Sequence, residues 1–116
     1  MNTIKFLLFL LLLITYSHSA LAATVSTDST PTEAEVRTLI TNASPGDMIQ
    51  FEGDATWTGT VDVGKNIIIN GNGHTLTASG ALSTGFFRIT GFTANSLCRI
   101  TGFTFDLSNW TTGILS

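Results

Sequence analysis

The chain has 116 residues, 43% of them hydrophobic and 11% charged, with five basic against eight acidic side chains and a net charge of −3. This length sets a ceiling of one domain, and the acidic balance argues against a nucleic-acid surface, which needs clustered Lys and Arg facing phosphates. The single cysteine, Cys98, excludes an internal disulfide framework, so stability has to come from packing or from partners.

Met1 and Lys5 place positive charge ahead of an unbroken apolar run of nine residues, Phe6 to Ile14. A helix needs about 20 apolar residues to span a bilayer, so the run reads as the core of a secretory signal and not as an anchor. Ala20-Leu21-Ala22 supplies the small-x-small pattern of a cleavage site, which predicts Ala23 as the new N-terminus. The expectation is a secreted chain, extracellular or at the cell surface, with the periplasm left open and no membrane contact after residues 1–22 are removed. Residues 23–116 then carry four basic against eight acidic side chains, net −4.

Residues 23–31 are small, polar and aperiodic and read as a flexible spacer. A helix is predicted over 32–44, with Thr30 at the N-cap, Pro31 at the first helical position and Glu33 closing a capping box. Val36, Leu39, Ile40 and Ala43 form one apolar stripe at i, i+3, i+4 and i+7. Ser44-Pro45-Gly46-Asp47 ends it, because proline cannot continue the hydrogen-bond ladder and glycine permits a sharp exit.

From Met48 onward the pattern is β. Predicted strands are Met48 to Phe51, Thr58 to Val63, Asn66 to Ile69, His74 to Thr77, Phe86 to Thr90, and Leu97 to Leu107 with a break at Gly102 left open. Arg88-Ile89-Thr90-Gly91-Phe92-Thr93 recurs letter for letter as Arg99-Ile100-Thr101-Gly102-Phe103-Thr104. The apolar pairs Ile49/Phe51, Ile67/Ile69 and Phe87/Ile89 suggest a longer period of roughly 20 residues, in the range of stacked repeat architectures. Two arrangements of Asn70-Gly71-Asn72-Gly73 compete: an antiparallel hairpin that pairs Ile68 near Leu76, or a corner of a stacked coil in which Ile68 pairs about 20 residues away.

The helix, followed by Pro45-Gly46-Asp47-Met48-Ile49-Gln50-Phe51, by Gly64-Lys65-Asn66-Ile67-Ile68-Ile69-Asn70-Gly71-Asn72-Gly73 and by Ile100-Thr101-Gly102-Phe103-Thr104-Phe105, resembles the pectin lyase-like superfamily over residues 32 to 107. The resemblance implies an all-β fold, a right-handed parallel β-helix (solenoid) with an N-terminal amphipathic cap helix, residues 45–116 forming its first coils, with truncation expected thereafter. It also implies a carbohydrate-related role, with the active site of a polysaccharide lyase or glycoside hydrolase on coils downstream of these. No catalytic motif of the superfamily is present, so no catalytic residue is carried over. A non-catalytic adhesin, glycan-binding or structural solenoid is the alternative.

Individual residues add little chemistry. Gly71-Asn72-Gly73-His74-Thr75-Leu76 begins like a dinucleotide fingerprint, but leucine stands at the third glycine and no helix follows. His74, alone in residues 23–116, has no histidine or cysteine partner for a metal and reads as a turn-flanking polar residue. Asp47, Glu52, Asp54, Asp62 and Asp106 are the natural acid, base or calcium candidates for work on polysaccharide, yet none lies in a dense cluster, and Glu52-Gly53-Asp54 reads as a solvated turn. Arg88 and Arg99 read as solvated strand charges that could meet an acidic sugar, and Cys98 as a small buried hydrophobe. No cofactor or metal site is expected here, with calcium left open for a full-length protein. Polysaccharide and self-association through an open coil end are the expected partners. Asn42-Ala43-Ser44 and Asn109-Trp110-Thr111 match the glycosylation acceptor, the first of them followed by proline.

Overall fold

The computed structural model describes residues 21–80, 82, 85–93 and 96–110. The predicted leader up to Ala20 and the end of the second glycosylation acceptor lie outside them. The elements in chain order are β1 (Thr24–Ser26), α1 (Glu33–Asn42), β2 (Met48–Gln50), β3 (Ala55–Trp57), β4 (Val61–Val63), β5 (Ile68–Asn70), β6 (Thr75–Ala78), β7 (Phe87–Ile89), β8 (Arg99–Thr101) and β9 (Thr104–Asp106).

The strands form three sheets, ordered β1-β2-β5-β8, β3-β6-β9 and β4-β7. Every pairing is parallel. From β2 onward the chain visits the first, second and third sheets in turn and repeats that rotation. Ile68 pairs with Met48 and Arg99, whereas Leu76 pairs with Ala55 and Phe105, so the Asn-Gly-Asn-Gly segment is a corner between two sheets and not a hairpin turn. Asn72 (φ 52°) and Gly73 (φ 79°) take left-handed backbone angles there, which Asn and Gly tolerate best. A Cβ on Gly71 would collide with the Phe103 ring, and the Gly71 amide donates to the Thr101 carbonyl at 2.7 Å.

Side-chain alternation directs the core. Ile49 and Ile69 of the first sheet, Ala55, Trp57, Leu76 and Ala78 of the second, and Val61 and Val63 of the third all point inward and are buried. Phe51, Ile67, Leu82 and Phe86 fill the corners. An aromatic cluster runs through the stack: Phe51 meets Phe103 edge-on at 4.8 Å, Trp57 meets Phe87 at 5.4 Å, and Phe86 stacks on Phe105 at 5.3 Å.

Helix α1 packs against β4 and buries Val36, Ile40 and the capping Ala43, with Leu39 partly covered, so the predicted stripe is the buried face. Its N-cap is Thr32, two residues later than predicted: the Thr32 hydroxyl accepts from the Glu35 amide at 3.1 Å. Pro31 is drawn out of the helix because its carbonyl accepts the buried Trp57 indole N–H at 3.0 Å. At the other end Lys65 Nζ donates to the carbonyls of Thr41 (2.6 Å) and Ala43 (2.8 Å), supplying the cation that the last helical turn lacks.

Four further expectations change. Residues 24–26, predicted within a spacer, form β1, because backbone bonds decide what side-chain pattern does not: Met48 N–H donates to the Ala23 carbonyl at 2.8 Å and Thr27 N–H to Gln50 at 2.9 Å, while the three side chains stay exposed. Ala55–Trp57 is a strand that a three-residue run with one alanine and no Val or Ile fails to announce. The predicted strand from Thr58 begins only at Val61, since the Thr58 and Gly59 amides are taken by the Glu33 carboxylate. Finally, the apolar pairs do not share one period: Ile49 aligns with Ile69, but Phe87 aligns with Val61 in another sheet, and the two Arg-Ile-Thr-Gly-Phe-Thr copies, whose placement the sequence leaves open, lie in different sheets, β7 beside β4 and β8 beside β5. Loops of unequal length between turns defeat a single fixed period.

Candidate functional site

Parallel register places residues from successive circuits side by side, and it assembles the charged groups in pairs. At the corner between the first and second sheets, Asp54 Oδ1 accepts the Thr75 amide at 2.8 Å and lies 3.3 Å from His74 Nδ1. The Thr75 amide and then the imidazole hold the Asp54 carboxyl below its ordinary range, against partial desolvation. Glu52 completes this corner, accepting from Gln50 Nε2 (2.9 Å) and Ser26 Oγ (2.8 Å). These bonds, Gln50 first, lower its pKa, and the neighbouring His74 acts in the same direction.

An imidazole whose Nδ1 faces a carboxylate presents Nε2 as the free ring nitrogen, the arrangement that orients a general base. No group of three or more His, Cys, Asp or Glu among the described residues is placed to hold a metal ion.

On the outer face of the third sheet Asp62 and Arg88 stand directly opposite in register and form a bidentate pair at 2.8 and 2.6 Å, half exposed on both sides. Arg88 lowers the Asp62 pKa and Asp62 raises that of Arg88. Arg99, at the same place in the second copy of the repeat, stands opposite Ile68 instead. Asp106 is held low by Ser108, whose amide it accepts at 2.9 Å. Glu33 is opposed by burial, yet its backbone donors, Thr58 and Gly59 among them, outweigh that cost and lower its pKa.

Asp47 is nearly buried, and its two oxygens are divided between the Ala23 amide (2.9 Å) and the Ser44 amide (2.8 Å). Those two bonds, with Lys65 assisting, hold its carboxyl below the ordinary value against burial. Cys98 is half-buried against the core, and burial pushes its thiol up, away from the reactive thiolate. A shallow groove of about 330 Å³ runs beside Ser44, Pro45, Gly64, Lys65 and Phe92, but the Lys65 ammonium beside it is committed to the helix carbonyls.

Of the residues singled out in the sequence, the fold unites Glu52, Asp54 and His74 at one corner and Asp62 with Arg88 on one sheet. Asp47 and Asp106 stay apart from both groups, Asp47 bound to the Ala23 and Ser44 amides and Asp106 to that of Ser108. The Asp54–His74 contact and the Lys65 helix cap have no local signature in sequence; only the parallel register reveals them. Compared with known protein families, with curated proteins and with solved structures, the chain matches none of them.

Proposed function

We propose that this chain is the helix-capped first part of a secreted right-handed parallel β-helix of the pectin lyase-like kind, and that its role is to close and seed a stack whose later coils act on polysaccharide. The observation that carries this reading is the asymmetry of the two ends. At one end α1 packs against β4 and is tied down by Trp57, Lys65, Glu33 and Arg37, the last through a 2.9 Å bond to the Thr60 carbonyl, with Val25 of the edge strand left 39% exposed. At the other, large apolar side chains stay exposed: Ile89 at 52%, Phe105 at 47% and Leu107 at 47%. An end of this kind buries its apolar surface when another coil stacks on it. Apart from Glu52, which is held by the side chains of Gln50 and Ser26, the candidate carboxylates are bound to backbone donors or to a fixed cation, which supports placing the chemistry on other coils.

A second reading, a non-catalytic adhesin, glycan-binding or structural solenoid, is favoured by the outward polar columns. Ser26, Gln50, Asn70 and Thr101 align across the first sheet, and Thr56, Thr77 and Asp106 across the second, at the spacing of about 4.8 Å between strands. Two measurements separate the readings: the coding DNA is read through Ser116, and the secreted chain is run in gels containing polygalacturonate or a neutral glucan while new sugar ends are assayed. Further coils bearing clustered aspartates with a basic residue on adjacent turns support the enzyme scaffold. Retardation in the gel without such coils supports the second reading, and neither result removes the carbohydrate role.

A further inference from the structure

The Asp47 carboxylate is nearly buried and has one oxygen on the backbone nitrogen of Ala23, at 2.9 Å. Ala23 also meets the fold through its carbonyl, which accepts the Met48 amide at 2.8 Å, and β1 starts at the next residue. Just before it, Leu21 is 90% exposed and Ala22 is exposed as well. The small-x-small pattern Ala20-Leu21-Ala22 independently puts the scissile bond between Ala22 and Ala23. Two unrelated signals thus fall on one peptide bond.

We propose that hydrolysis of the Ala22–Ala23 bond makes the new α-ammonium of Ala23 the counter-ion of Asp47, a processing-dependent lock on the first strand. One water adds across the bond, leaving a carboxylate on Ala22 and an ammonium on Ala23, with no other reactant consumed. Before cleavage the Ala23 nitrogen is a neutral amide with one N–H. Afterwards it has three and a full charge, and a charge-assisted hydrogen bond is roughly twice as strong as a neutral one. Among the described residues the cation acting on Asp47 is Lys65, whose ammonium points at the Thr41 and Ala43 carbonyls. The Ser44 amide keeps the second carboxylate oxygen in place. The lock anchors the edge strand of the first sheet beside the Pro45-Gly46-Asp47 turn. It rests on the secretory part of the proposed function.

The test begins by exporting the full chain from a secretory host and reading the N-terminus by sequencing and intact mass. Ala23 is the expected first residue. A retained leader sinks the secretory reading itself, whereas removal of the leader at a different bond overturns the lock and leaves secretion standing. The processed chain is then compared with its Nα-acetylated form, made by co-expression with an N-terminal acetyltransferase, and with a chain that starts one residue earlier at Ala22. Both keep the N–H donor but remove or displace the charge. A thermal midpoint several degrees lower in each is expected, with the acetylation difference abolished in Asp47→Asn. Equal midpoints for the free and acetylated chains overturn the proposal even if Asp47→Asn fails to fold.

Discussion

Val36→Ala tests whether α1 is a seated cap or a helix resting on the surface. Val36 is fully buried, at 0% exposure, on the face that meets β4. The substitution removes two methyl-sized groups, which at about 0.8 kcal/mol per buried carbon is a loss of about 1.6 kcal/mol. The space left behind adds to this because the surrounding strands relax only partly. Against it, alanine favours the helix by about 0.6 kcal/mol over valine. The net expectation is a loss of about 1–2 kcal/mol, read as a lower urea midpoint at unchanged slope. The same loss appears as a thermal midpoint lowered by about 4–8 °C for each kcal/mol. The control is Thr38→Ala on the exposed face, where the hydroxyl bonds only the Ala34 carbonyl of its own helix, and no loss is expected. If Val36→Ala costs under about 0.5 kcal/mol, in the range of ordinary surface changes, the helix is not packed as a cap.

Leu39→Asp brings a carboxylate to the partly covered side of the same stripe and should lower the thermal midpoint; an unchanged midpoint would count against the cap. Gly71→Ala drives a methyl group into the Phe103 ring and should cost about 1–3 kcal/mol as an overpacked corner, measurable by urea unfolding. The acidic side of the stability profile follows from Asp47, Asp54 and Asp62, whose folded pKa values lie below their unfolded ones. Their contribution is present above the unfolded values and is lost as pH falls through the folded values, so urea midpoints should decline on the acid side, and less steeply in Asp62→Asn. The thiol of Cys98 should react slowly with a bulky reagent until denaturant is added, and fast labelling of the native chain would contradict its partial burial.

The sequence by itself determined the local choices. Pro45-Gly46 had to end a helix whose buried stripe, Val36, Ile40 and Ala43, is written in its spacing. Alternating apolar residues around Ile49, Ile69 and Val61 had to make strands, since period-two burial is a backbone property. The Asn-Gly-Asn-Gly segment was legible as a turn between two strands, but not whether those strands pair with each other as a hairpin or with residues about 20 positions away. Tertiary structure decided the rest, because parallel pairing links residues 20 or more positions apart through loops of unequal length. It alone made Thr24–Ser26 a strand, moved the helix start from Thr30 to Thr32 by drawing the Pro31 carbonyl to Trp57, and sent the two identical hexapeptides to different sheets. The same register joined Asp54 to His74 and Asp62 to Arg88. Exposed charges carry no periodic signal of their own, so their partners emerge only once the apolar residues have fixed which strands lie side by side.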